Sequence, residues 1–92
     1  MVQFEWHPEK AHKDLIKHGI SFDEAATVFG DPLAVTIDDP DHSQEERRLL
    51  TTGLSQRQRL MIVAHTDRDG RVRIVSARDV TAAERKQYES GE

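Results

Sequence analysis

Two apolar, β-branched segments, Arg59–Thr66 and Arg71–Arg78, flank the connector Asp67-Arg68-Asp69-Gly70, and that pattern predicts a β-hairpin. A loop of either two or four residues pairs Thr66 with Arg71 and His65 with Val72. Met61, Val63 and His65 are then expected on one face with Val72, Ile74, Ser76 and Arg78. The other face takes Leu60, Ile62, Ala64, Arg73, Val75 and Ala77. Because both faces carry apolar side chains, the hairpin has to lie centrally in a sheet, with other elements covering part of each side. A chain of 92 residues has material for one core only. A single domain over residues 1–92 is therefore expected.

The remaining elements follow from local signals. Val2, Phe4 and Trp6 alternate with polar neighbours and predict a short strand. Pro8 suits the first turn of a helix running to about His18, with Ala11, Leu15 and Ile16 as its apolar stripe and Gly19 just past its end. Ser21 and Glu24 form a capping box, and Phe22, Ala25, Ala26 and Phe29 share one face of a second helix that stops at Gly30-Asp31-Pro32. Leu33–Ile37 and Arg47–Leu54 read as strands around a polar loop. Thr81 and Glu84 open a last helix through about Tyr88. The order β-α-α-β-β-β-β-α predicts an α+β domain with an antiparallel sheet, two N-terminal helices and one C-terminal helix.

Charge and composition narrow the function. Seventeen acidic side chains against thirteen Lys and Arg give a net charge of −4, so any nucleic-acid reading must rest on local asymmetry. The stretch from Asp38 to Glu46 is acidic through Asp38, Asp39, Asp41, Glu45 and Glu46. The stretch from Arg57 to Arg78 carries six arginines against Asp67 and Asp69. No cysteine is present, which removes thiol chemistry and points to a cytoplasmic location. No apolar run is long enough to span a bilayer, and the N-terminus lacks a secretory pattern.

No P-loop, G-x-S-x-G, G-x-G-x-x-G, H-E-x-x-H or EF-hand pattern occurs. The five histidines, His7, His12, His18, His42 and His65, are not spaced as metal ligands. An acidic loop interrupted by Pro40 is not a cation site by pattern, so no metal and no cofactor is expected. What remains is His65, Arg73, Ser76 and Arg78 on the hairpin with Arg85 and Tyr88 on the last helix. Such residues can cleave RNA without metal, which takes a base for the 2′-hydroxyl, cations for the phosphorane and an acid for the leaving 5′-oxygen. The same arginines can equally be paired with carboxylates such as Glu84 and Glu89.

The segment Lys17-His18-Gly19-Ile20-Ser21-Phe22-Asp23-Glu24-Ala25 and the later run Arg73-Ile74-Val75-Ser76-Ala77-Arg78, with Thr81, Glu84, Arg85 and Tyr88, resemble the BrnT family. That family supplies the toxins of bacterial BrnT/BrnA type II toxin–antitoxin systems. Phe4-Glu5-Trp6, Lys10, Val28-Phe29, Asp31-Pro32, Glu46-Arg47, Gly53-Leu54-Ser55, Arg59-Leu60 and His65-Thr66 extend the resemblance over nearly the whole chain. It implies a RelE-like fold, ribonuclease activity that arrests translation, and neutralisation by a ribbon–helix–helix antitoxin. It also implies promoter DNA bound only through the antitoxin complex.

Carried over by position, the candidate catalytic residues are His65, Arg73, Arg78, Arg85 and Tyr88. Lys10, Arg47 and Arg59 are candidate RNA-binding residues, with Glu46 beside them. Arg78 and Arg85 are expected as phosphate clamps, His65 as the proton-transfer group and Tyr88 as a stacking or orienting residue. His7 and Asp14 stand where the family usually has Asp and Asn. The alternative reading is a non-catalytic module that serves as structural partner of a DNA-binding repressor.

Overall fold

The computed structural model describes residues 2–41 and 46–91. His42 and Glu45, and with them part of the expected acidic loop, lie outside the described residues. The elements are β1 (Gln3–Trp6), α1 (Pro8–His18), α2 (Phe22–Ala26), a 3₁₀ turn (Thr27–Gly30), β2 (Val35–Asp38), β3 (Arg48–Leu54), β4 (Leu60–Arg68), β5 (Arg71–Asp79) and α3 (Ala82–Ser90). This is the α+β order expected from the sequence.

The helix ends have identifiable causes. Pro8 occupies the first turn of α1, and the Glu9 N–H donates to Nδ1 of His7, so His7 caps the helix. Gly19, at φ 68°, closes α1 in the left-handed region. Ser21 caps α2 through the Glu24 N–H, but the expected capping box is only half formed because the Glu24 carboxylate is taken by Ser55 and Arg59, and the run tightens into the 3₁₀ turn before Asp31. Thr81 and Glu84 form the reciprocal capping box of α3.

The five strands order β1-β5-β4-β3-β2. All neighbours are antiparallel except β1 and β5, which run parallel, so the expected antiparallel sheet is in fact mixed. The reason lies in the connection. The chain leaves β1 straight into α1, which crosses the sheet and is tied to β5 where the Ala77 N–H donates to the buried Asp14 carboxylate at 2.9 Å. A strand followed by a crossing helix is free of the hairpin constraint that makes sequential strands antiparallel.

The hairpin itself departs from the expected register. Asp69 (φ 52°) and Gly70 (φ 80°) form a two-residue left-handed turn, so β4 continues to Arg68 and Thr66 faces Arg73, not Arg71. A bulge beside Ala64 and His65 then shifts the pairing by one, from His65↔Ile74 to Ala64↔Ser76 and Ile62↔Arg78. One inserted residue exchanges the two faces of everything beyond it. Ser76 and Arg78 therefore join Ile62 and Ala64, while Ala77 joins Met61 and Val63.

The core fills the face of Met61, Val63 and Ala77. Ile20, Phe22, Ala25 and Val28 from the helical layer pack on Met61, Val63, Ile74 and Ala77, with Phe4, Trp6 and Phe29 at the margin. Trp6 meets Phe22 edge-on with centroids 6.0 Å apart, and Phe4 lies 5.3 Å from Phe29. Gly53 lets β3 approach this layer. A Cβ there would stand 3.0 Å from both the Ala34 Cβ and a Val28 methyl, and 3.2 Å from the Asp31 carboxylate. Gly53→Ala is expected to cost about 1–3 kcal/mol, read as a lower urea midpoint with unchanged slope.

Candidate active site

Beyond the bulge, β5 presents Ser76 and Arg78 on the face away from α1 and α2, and α3 comes back over that face. The two Nη atoms of Arg78 fork onto the two carboxylate oxygens of Glu84, each at 2.9 Å. Glu84 also accepts the Thr81 N–H at 2.8 Å, so one carboxylate caps α3 and holds the guanidinium. The Arg78 fork, supported by the Thr81 bonds, pulls the Glu84 carboxyl down to about 2 against its partial burial. Arg78 keeps 44% of its side chain exposed, which leaves it open to a ligand.

Tyr88 anchors the other end of α3. Its hydroxyl donates to Asp31 at 2.6 Å, and Asp31 also accepts the N–H groups of Leu54 and Leu33 at 2.8 and 2.9 Å. Burial works against the Asp31 carboxylate, but those N–H groups and the Tyr88 hydroxyl hold it below its ordinary range. The same bond pushes the phenol of Tyr88 up to about 12. No side chain of α3 is fully buried, so two polar anchors fix the helix over the sheet. Between helix and sheet runs a groove of about 140 Å³, floored by Val35, Ile37, Leu50 and Ile62.

Glu84 makes the pH dependence of stability definite. Its carboxyl is depressed in the folded protein from an ordinary 4.5 to about 2, so its contribution is complete above pH 4.5 and fades as the pH falls toward 2. Urea midpoints measured from pH 6 to pH 3 are expected to fall, and to fall less steeply in Glu84→Gln.

The structure gathers some of the expected residues and separates others. Arg73 and Arg78 share one face of β5, though Arg73 is bound to Glu5 at 2.9 Å. Arg85 is exposed on α3, 3.9 Å from Glu89. His65, by contrast, lies on the core face, 4% exposed, with its ring edge-on to Phe29 at 4.8 Å. Its Nε2 is 2.8 Å from the Thr51 hydroxyl, which meets Thr36 at 2.7 Å, and its Nδ1 is buried with no hydrogen-bond partner. Burial pushes the imidazole below its ordinary value, only partly opposed by Asp67. The expected sharing of a face by His65 and Arg78 is thus corrected by the bulge, and a side chain on the core face cannot exchange protons at Arg78.

The RNA-binding candidates are also occupied. Arg59 forks onto the buried Glu24 at 2.7 and 3.0 Å and donates to the Gly19 carbonyl, tying the β3–β4 loop to α2. Ser55 completes that network by donating to Glu24 at 2.7 Å. Arg47 pairs with Asp38 at 2.6 Å near the β2 edge, Glu46 pairs with Arg68, and Lys10 on α1 lies 3.9 Å from Asp14. The contrast between acidic and basic stretches is therefore partly cancelled by pairing across it. Among the described residues, no three His, Asp or Glu side chains group to hold a metal ion. Among the described residues no helix is long and apolar enough to cross a membrane. Asp31 was not singled out by the sequence, where it reads as a turn residue before Pro32.

Comparison with known proteins adds the decisive observation. A family model described as the ribonuclease toxin BrnT of a type II toxin–antitoxin system matches residues 6–84. The chain belongs to the BrnT family. It is thus a member of a family of ribonuclease toxins from type II systems, and an antitoxin partner goes with that membership. The crystal structure of the ribonuclease toxin BrnT of Brucella abortus superposes with a TM-score of 0.64 at 15% identity, covering 88% of this chain and 99% of that one. At that identity the likeness concerns the fold, and it agrees with the three helices and five-stranded sheet. No curated protein matches. The matched span includes Arg73 and Arg78 and stops short of Arg85 and Tyr88.

Proposed function

We propose that this chain is a cytoplasmic, single-domain endoribonuclease toxin that cleaves RNA without metal and is held inactive by a ribbon–helix–helix antitoxin. Promoter DNA would be bound through the antitoxin and not through this acidic chain. The observation that supports this most is Arg78, a half-exposed guanidinium forked onto Glu84 of the groove lining, whose planar fork suits a phosphate oxygen pair once it leaves that carboxylate. Arg78 and Arg85 stabilise the phosphorane, Arg73 steers the backbone, and Tyr88 orients the nucleotide.

With His65 on the core face, Glu84 is the base of this reading and takes the 2′-hydroxyl proton. Its carboxyl is a weak base while Arg78 grips it. Drawing Arg78 onto a phosphate returns it toward the ordinary carboxylate range, so it takes the proton as the 2′-oxygen bonds to phosphorus, and the protonated carboxyl returns that proton by way of water to the departing 5′-oxygen. His65 serves packing, and Lys10, Arg47 and Arg59 serve ion pairs. The second reading, a non-catalytic partner of a repressor, is favoured by the pairing of Arg73, Arg78 and Arg85 with carboxylates. Induced expression separates the two. Growth arrest that the neighbouring antitoxin relieves supports the toxin, and normal growth with abundant folded protein contradicts it.

A further inference from the structure

We propose that the groove between α3 and the β2–β3 edge of the sheet is the subsite for one unstacked nucleobase of single-stranded RNA. The proposal rests on the ribonuclease reading and names what sits beside the phosphate in that site. At about 140 Å³ the groove takes a single flat heterocycle and not a helix or a duplex. Its floor is aliphatic, from Ile37, Leu50 and Ile62, the surface on which a base face loses water. Tyr88 forms a wall whose ring is fixed, because its hydroxyl is bound at 2.6 Å to an Asp31 that two backbone N–H groups already hold.

The polar edge of the groove fits the same occupant. Gln87 brings an amide and Thr52 a hydroxyl, both donor and acceptor, and such pairs read the hydrogen-bonding edge of a base. Glu84 stands at the rim with Arg78 forked onto it, so a base in the groove brings its own phosphate to the guanidinium. Glu84 on that rim presents a carboxylate acceptor to a donor on the sugar. A ribose 2′-hydroxyl is such a donor and deoxyribose is not, which gives the site a preference for RNA over DNA.

Titration of the purified chain with the four 3′-ribonucleoside monophosphates and their 2′-deoxy forms, by calorimetry or NMR shifts, tests this without requiring cleavage. Binding is expected to differ among the bases and to favour the ribose form. Ile37→Asp places a carboxylate in the floor from an exposed edge position and is expected to weaken every nucleotide by about tenfold. Gln87→Ala, on the exposed helix, is expected to flatten the difference between bases and to shift the cleavage-site profile on a randomised RNA.

Equal, base-independent affinities that neither substitution alters, in variants with unchanged melting, would overturn the subsite. Nucleotide binding that depends on Ile37 and Gln87 in a chain that cuts no RNA keeps the subsite and overturns the ribonuclease reading. Cleavage indifferent to both substitutions does the reverse.

Discussion

Replacing Arg78 with alanine is expected to lower the RNA cleavage rate by about 10²–10³-fold, the usual loss when one preorganised donor to a developing charge is removed. The same change strips Glu84 of its fork and costs about 1–2 kcal/mol, because the carboxylate keeps its Thr81 bonds and partial access to water. Melting should then fall by several degrees, on the order of 4–8 °C per kcal/mol in a domain this small, with the fold retained. Arg78→Lys keeps a charge and loses the planar fork, so it should recover stability better than activity. Cleavage rate and melting temperature measured on the same preparations check both expectations. Full activity in a folded Arg78→Ala protein would remove Arg78 from the site.

Arg59→Ala is expected to act in the opposite way, on the fold and not on the substrate. Glu24 is 7% exposed and would be left with one serine as its side-chain partner. Breaking such a pair from one side costs about 3–5 kcal/mol when both partners are buried, and about 2–3 here because Arg59 is itself 37% exposed. Changing both Arg59 and Glu24 to uncharged residues of similar volume should restore part of the loss, since the cost lies in the orphaned charge. Urea unfolding of the two variants measures this. An Arg59→Ala protein of unchanged stability but weakened RNA binding would return Arg59 to the substrate.

These contrasts show what the sequence could carry. Helices were legible because their signals are local: Pro8, Gly19, Ser21 and Thr81 all do in the structure what their positions predict. The central place of the hairpin was legible because both faces are apolar. The register was not: the turn closes on Asp69-Gly70, a sequence signal that a loop centred one residue earlier passes over, and the inserted residue in β5 depends on sheet geometry that no spacing rule states. That single residue moved Arg78 to the α3 side and left His65 against Phe29. The parallel β1–β5 pair escaped for a similar reason, because α1 and its Asp14 anchor set the direction across 63 residues of chain. Ion pairs such as Arg59–Glu24 and Arg73–Glu5 join residues far apart in sequence, so a run of arginines reads as basic until the fold supplies its carboxylates. The family resemblance, resting on motifs and not on register, held.

The most direct measurement is cleavage of a defined RNA by the purified, antitoxin-free chain in excess EDTA, with the product ends identified. Cleavage that persists in EDTA and leaves 2′,3′-cyclic phosphates is the predicted result, because a carboxylate base and arginine clamps need no metal. Folded protein that leaves the RNA intact with and without ribosomes, or that cuts only when divalent metal is restored, would contradict the account.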